Sequence, residues 1–331
     1  MELLLLKIPA AVLVLVAALL LVLFLCGKSR QRFAGADPAL STWMAGIDDG
    51  ALLRQIAIPG SHDAGTRGIL WAGETQTYTI AQQLQSGARY FDLRVHKKGD
   101  KYVIFHSILD GIEFCKVLDA IREFIQSHPS EVILLDFQHF KDSQAEVKRL
   151  LLSELDARGL LMHNTTPLSP VEFIRGLTLG QVRGKCVVFW GDRSEAGSDF
   201  LFLRNDNECT YEDMCLDSYY LANSHKMDTR GLIETAYPVY FARLHQQQAA
   251  GRDAMFVLQC QLTDGKFVRG PWSRERKHDP LISDYIRRLA QSEELGSINV
   301  ILRDFITPEK CEDIIALNRD KGIMTEKDRA R

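Results

Sequence analysis

Arg54-Gln55-Ile56-Ala57-Ile58-Pro59-Gly60-Ser61-His62-Asp63-Ala64-Gly65-Thr66 is the stretch on which the fold turns. A strand-length apolar run, Gln55–Ile58, passes directly into a Pro/Gly turn that carries a His-Asp pair. The same grammar recurs outward from it. Apolar runs at Tyr90–Val95, Tyr102–Phe105, Val132–Phe137, Cys186–Trp190, Ala254–Gln259 and Ser297–Leu302 read as strands, with one more near Thr210–Leu216. Helix-period segments fall between several of them, at Lys116–Ser127, Gln144–Ala157, Arg230–Gln248, Asp279–Gln291 and Glu309–Asn318. In the first, Val117, Leu118, Ile121, Phe124 and Ile125 share a face, and His128-Pro129 ends the helix. About eight strands with interleaved helices predict an α/β chain folded as one (βα)8 barrel over residues 34–331. A doubly wound sheet is the rival, but no GxGxxG or Walker A loop follows any strand.

The 331 residues are 46% hydrophobic and 25% charged, which excludes wholesale disorder. Forty Lys+Arg against 43 Asp+Glu give no basic excess, so no nucleic-acid partner is expected. Residues 1–33 are a different material. Ile8 to Cys26 carries no charge and no polar face, and the reading is one uncleaved N-terminal transmembrane helix, hence a single-pass membrane localisation. A cleaved signal peptide fits less well, because the run is long and Ala34-Gly35-Ala36 lies beyond Lys28, Arg30 and Arg32. Sidedness stays open. Those three cations against Lys7 favour a cytoplasmic domain by the positive-inside rule, whereas six cysteines beyond residue 33, with Cys209 and Cys215 able to close a short loop, lean the other way.

Barrel sites form where strands end. His62-Asp63 follows the first strand, and Asp92 and Arg94 share one face of the second by period-2 geometry. His106 ends the third run, and the last delivers Asp304. Two imidazoles, a guanidinium and carboxylates at one barrel mouth suit displacement at a phosphodiester by an internal hydroxyl. One His accepts the hydroxyl proton, the other protonates the leaving oxygen, and Arg holds the phosphate.

Pro59–Thr66, Tyr90-Phe91-Asp92-Leu93-Arg94, Phe105-His106 and Pro129-Ser130-Glu131-Val132-Ile133-Leu134 resemble the X domain of phosphatidylinositol-specific phospholipase C, nearest to the bacterial type and the X-domain-only relatives. The resemblance runs from about Leu40 to Asn318 and is sharpest between Ile58 and Phe140. It implies a distorted TIM barrel and cleavage of phosphatidylinositol to diacylglycerol and inositol 1,2-cyclic phosphate. His62 would be the general base on the inositol 2-hydroxyl, oriented by Asp304, and His106 the general acid, supported by Asp63. Arg94 with Asp92 would hold the phosphate. Calcium-dependent relatives carry Asn after the first His and an acidic residue at the place of Arg94, so the resemblance implies no metal and no other cofactor.

The chain departs from the bacterial pattern in several places. Gln138 stands where bacterial members have Lys. The Arg expected after the fifth strand is matched loosely by Arg193, and the inositol-binding Asp-x-Tyr corresponds to Asp217-Ser218-Tyr219 or to Asp213. Gly265–Pro280 gathers Lys266, Arg269, Arg274, Arg276 and Lys277 with Phe267 and Trp272, and reads as a rim loop on an anionic lipid surface or as an ordinary solvated loop. The implied partner is an inositol phospholipid in a membrane surface. Two rivals remain: a phosphodiesterase for glycerophosphodiesters or another lipid headgroup, and a catalytically silent lipid-binding module.

Overall fold

Eight parallel strands close into one barrel in the structure, a computed structural model that describes residues 10–27, 31–35, 37–141, 143–195, 198–205, 213–221, 227–252, 254–262 and 270–325. Ten strands are defined among these residues: β1 Ile58–Ser61, β2 Tyr90–Lys98, β3 Lys101–His106, β4 Leu109–Glu113, β5 Ile133–His139, β6 Cys186–Trp190, β7 Leu201–Leu203, β8 Leu216–Asp217, β9 Met255–Gln259 and β10 Val300–Arg303. The spatial order β7-β6-β5-β2-β1-β10-β9-β8 is parallel throughout. The two ends meet where Cys215 N–H donates to Leu203 O (2.7 Å) and Asn205 N–H to Leu216 O (3.0 Å). With β8 only two residues long, the closure is thin and the barrel distorted.

The third apolar run is not a barrel strand. Only Gly99-Asp100 separates β2 from β3, and a two-residue link joins antiparallel strands alone. β3 and β4 form a hairpin leaning on the extension of β2, and the vacated barrel position is taken by the three-residue β7. Consequently β6 is the fourth barrel strand and β7 the fifth. The helix Phe114–Ser127 buries the anticipated face, Val117, Leu118, Ile121, Phe124 and Ile125, against the sheet. At the opposite end from the site, Arg89 is buried and bonded to Glu131 Oε2 (2.9 Å) and to the carbonyls of Leu40 and Ser41, which ties the N-terminal turns beneath the barrel.

Two expectations are corrected. The helix Ala10–Gly27 has 18 residues. At about 1.5 Å per residue it falls short of the roughly 20 residues a bilayer core requires. Among the described residues no helix is long and apolar enough to cross a membrane, so the transmembrane helix of residues 1–33 and the single-pass localisation are withdrawn. The second correction concerns the basic rim loop. Gly270–Arg288 is a helix containing Pro280, and Trp272 packs edge-on against Phe305 (5.0 Å) instead of standing clear of the surface. Lys266, Phe267 and Arg269 lie outside the described residues, as does Cys209 with its suggested pairing. Cys115, Cys186, Cys215, Cys260 and Cys311 are free thiols.

Candidate active site

The mouth of the barrel is built by turns under backbone strain. Four non-glycine residues adopt left-handed backbone among the described residues: Asp63 (φ 43°), Ser107 (57°), Lys141 (40°) and Phe305 (47°). Each lies one or two positions past a strand, where such strain accompanies function. The turn at Asp63 lets its backbone N–H reach Asp92 Oδ2 (3.2 Å) while its carboxylate faces the mouth.

His62 leaves β1 beside Asp304, which leaves β10, because β1 and β10 are register partners through Ser61 and Arg303. Its Nδ1 lies 2.7 Å from Asp304 Oδ1, and its Nε2 lies 3.3 Å from Asp63 Oδ2 and 3.8 Å from Asp92 Oδ2. Burial alone would lower the His62 pKa. The carboxylates of Asp63 and Asp304 overcome it, with the Asp304 hydrogen bond and Asp92 assisting, and carry it up to about 9.

β2 runs past the mouth to Lys98, and the hairpin brings β3 back down, so that His106 arrives at the rim. His106 Nδ1 lies 2.7 Å from the Gly73 carbonyl; as donor it leaves Nε2 to face Asp63 Oδ2 at 3.4 Å. The absence of a side chain at Gly73 gives His106 and Leu109 their room here. A Cβ would lie 2.7 Å from Leu109 Cδ1 and 3.2 Å from His106 Nδ1.

Arg94 closes the cluster. Its Nε is 2.7 Å from Asp63 Oδ1 and its Nη2 3.8 Å from Asp92 Oδ2. Burial favours the neutral form of Asp63, but Arg94, His62 and His106 together hold its pKa well below the ordinary carboxylate range. One Asp63 oxygen thus faces the guanidinium and the other faces both imidazoles. The two Nε2 distances bound the separation of the rings' reactive atoms at their sum, 6.7 Å. His62, Asp63 and Asp92 are also the one trio among the described residues able to share a cation, but the Arg94 guanidinium already occupies one oxygen of Asp63.

Residues 53–190 match the family model described as phosphatidylinositol-specific phospholipase C, X domain. They belong to that X domain. The 1-phosphatidylinositol phosphodiesterase of Staphylococcus aureus strain Newman is 32% identical over 115 residues, 32% of this chain and 36% of the relative. The human PI-PLC X domain-containing protein 2 is 30% identical over 200 residues, 49% of this chain and 62% of the relative. The chain therefore spans between about a third and three-fifths of these relatives' length. In three dimensions the chain resembles the phosphatidylinositol-specific phospholipase C of Listeria monocytogenes with a TM-score of 0.63 at 20% identity, over 84% of this chain and 98% of that one. At that identity the likeness speaks for the barrel alone. Asp304 lies outside the matched X-domain span, yet it sits against His62.

Of the ten anticipated site residues, His62, Asp63, Asp92, Arg94, His106 and Asp304 come together. Gln138 is half-buried near the end of β5 and donates to Asp136 Oδ2 (3.3 Å), without a described contact to the cluster. Three more do not reach the X-domain cluster by any described contact. Arg193 pairs with Asp213 (3.1 Å), so two candidates engage each other. Asp217 pairs with Arg243 of the helix Tyr237–Ala249 (2.7 Å), whose guanidinium also lies over the Tyr219 ring (4.6 Å).

Asp136 and Arg204 are the residues that sequence reasoning missed. Asp136 is buried in β5, level with Asp92 in the β2 register. It receives the Tyr90 hydroxyl (2.5 Å) and faces Arg204 Nε at 2.7 Å. Burial raises its pKa to about 6, with Asp92 adding, against the pull of Arg204. Arg204 directly follows β7. It is the arginine after the fifth strand, hidden while the hairpin was counted into the barrel. The available signal for Asp136 was its period-2 spacing to Gln138, the alternation already used for Asp92 and Arg94.

Proposed function

We propose that this mouth cleaves the phosphodiester of phosphatidylinositol as a phospholipase C, giving diacylglycerol and inositol 1,2-cyclic phosphate. The observation that carries the reading is the single Asp63 oxygen lying 3.3 Å from one imidazole Nε2 and 3.4 Å from the other, with Arg94 on its second oxygen. A phosphorus entering beside Arg94 then has a titratable nitrogen on either side. The inositol 2-hydroxyl oxygen attacks phosphorus as its proton passes to His62 Nε2, and Asp304 steadies the imidazolium through Nδ1. The bond from phosphorus to the glycerol oxygen breaks, and His106 Nε2 supplies that oxygen's proton. Arg94, beside Asp92, holds the non-bridging oxygens, a contact generally worth a few kcal/mol at a developing oxyanion. Acid–base transfer of this kind is typically worth about 10²–10⁴-fold.

The relatives' names support an inositol lipid as the substrate. On the β5 side of the mouth Asp136 joins Gln138 and Arg204 in one polar group, and we assign this group the inositol ring. Asp217 and Tyr219 are committed to Arg243 and are given no such role. Phosphorus NMR of the protein with phosphatidylinositol tests the reading. A cyclic phosphodiester signal that is absent with His62→Ala supports it. Folded wild-type protein with no turnover on inositol lipids refutes it.

A further inference from the structure

His62 and Asp304 are each the first residue beyond a strand, and beyond them both chains turn through left-handed residues, Asp63 and Phe305. One backbone bond, His62 N–H to Arg303 O (3.1 Å), links the two ends. That leaves two strained turns to hold a 2.7 Å side-chain contact in register.

A buried amide spans them. Gln76 comes from the loop between β1 and the helix Ile80–Gln85, and it is fully buried. Its Nε2 donates to both His62 O (2.9 Å) and Arg303 O (3.1 Å), and its Oε1 accepts from Ile306 N–H (2.9 Å). The preceding residue works on the same two turns: Thr75 Oγ1 donates to Asp63 O (3.2 Å), and Thr75 O accepts from Phe305 N–H (2.7 Å). Only a side chain carrying two donors and an acceptor meets this demand. A carboxylate would face two carbonyls, and an apolar chain would leave the buried Ile306 N–H without this acceptor while stripping one donor from each of the His62 and Arg303 carbonyls.

We propose that Gln76 is a positioning residue, whose amide locks the ends of β1 and β10 so that Asp304 meets His62 Nδ1. The proposal rests on the reading of His62 as the general base. It gives Gln76 no contact with substrate.

Gln76→Met in the full chain keeps length and removes the amide. With phosphatidylinositol, kcat is expected to fall about 10- to 100-fold while KM stays within about threefold, as for a misplaced catalytic group. The low-field Nδ1–H proton resonance of His62 should move upfield or vanish, and the inflection that His62 sets in the pH profile should move to lower pH. In an Asp304→Asn background, Gln76→Met should cost less than about threefold more, because the pair it serves is already broken. Unchanged kcat with an unchanged resonance, or a full multiplicative loss on Asp304→Asn, overturns the proposal. Should Gln76→Met fail to fold, Gln76→Asn, which keeps the amide one methylene too short, is judged by the same resonance and cycle. If wild-type protein does not cleave phosphatidylinositol, the functional reading fails. The resonance, read in free protein, still decides the role of Gln76.

Discussion

Replacing Asp63 by Asn removes one negative charge from the point where three cations or potential cations converge, and the two consequences run in opposite directions. The lost oxyanion lies 3.3 Å from His62 Nε2. An opposite charge at that range generally moves a pKa by about one to three pH units. Removing an anion favours the neutral imidazole, so the His62 pKa must fall from about 9 to between about 6 and 8. At pH 7 a base with a pKa near 9 is neutral in about 1% of molecules, whereas in the variant the neutral share is on the order of 10–90%. The base arm of kcat/KM therefore shifts to lower pH. The plateau should nevertheless drop about 10²–10³-fold, since His106 loses its carboxylate and Arg94 its 2.7 Å partner. The assay is a pH–rate profile on a water-soluble inositol phosphodiester, paired with imidazole nitrogen shifts. An inflection that stays in place or moves to higher pH, or a plateau equal to wild type, refutes the reasoning.

Arg94→Lys should lower kcat/KM about 10²–10³-fold, because an ammonium cannot both bind Asp63 and present a planar fork to phosphate; a loss below tenfold in steady-state assays counts against the phosphate role. Excess chelator should leave turnover unchanged, since Arg94 supplies the cation at Asp63; loss restored by calcium is the contrary result. Lys310→Met takes from buried Glu275 and half-buried Asp279 the ammonium that bonds them at 2.5 and 2.9 Å, leaving them only Arg303. Urea unfolding should register about 1.5–3 kcal/mol less stability, and a change under about 0.5 kcal/mol contradicts the buried pairing. Trp272→Ala should impair a soluble substrate as much as vesicles, because Trp272 packs on Phe305 next to Asp304. Loss confined to vesicle binding, measured by sedimentation, restores the rim-loop reading.

The sequence made the barrel legible wherever apolar runs were long enough to carry a period. Cys186–Trp190 was read to the residue, and β5 and β9 to within two. Leu201–Leu203 is three residues long and lies among polar neighbours, so no period marks it. The hairpin strand β3 looks like any barrel strand until the two-residue link at Gly99-Asp100 is weighed. That one miscount propagated into the site, because it made Arg193 rather than Arg204 the arginine after the fifth strand. Asp217 and Tyr219 converge on the Arg243 guanidinium, and no described contact joins them to the His62 cluster, because β8 stops at Asp217 and the pairing is made by a distant helix that no local spacing announces. Gln76 was invisible because its partners are backbone groups some 14 and 230 residues away, and no side-chain pattern encodes them.

On the proposed chemistry, the charge arrangement around His62 would let one site both attract and cleave a phosphodiester. Three carboxylates, Asp63, Asp92 and Asp304, stand within 4 Å of the ring nitrogens, a poor host for an anion. Arg94 and a protonated His62 offset them, so the resting proton is what lets phosphate approach Arg94. That same proton must be absent from Nε2 when the 2-hydroxyl attacks. Binding and base strength therefore compete for a single imidazole, and the balance is set by how tightly Asp304 and Asp63 hold it. Raising its pKa further would strengthen capture and starve the chemical step, while lowering it would do the reverse. The rigid turns at Asp63 and Phe305, with Gln76 between them, fix those distances, and the compromise follows from the backbone rather than from any one acidic side chain.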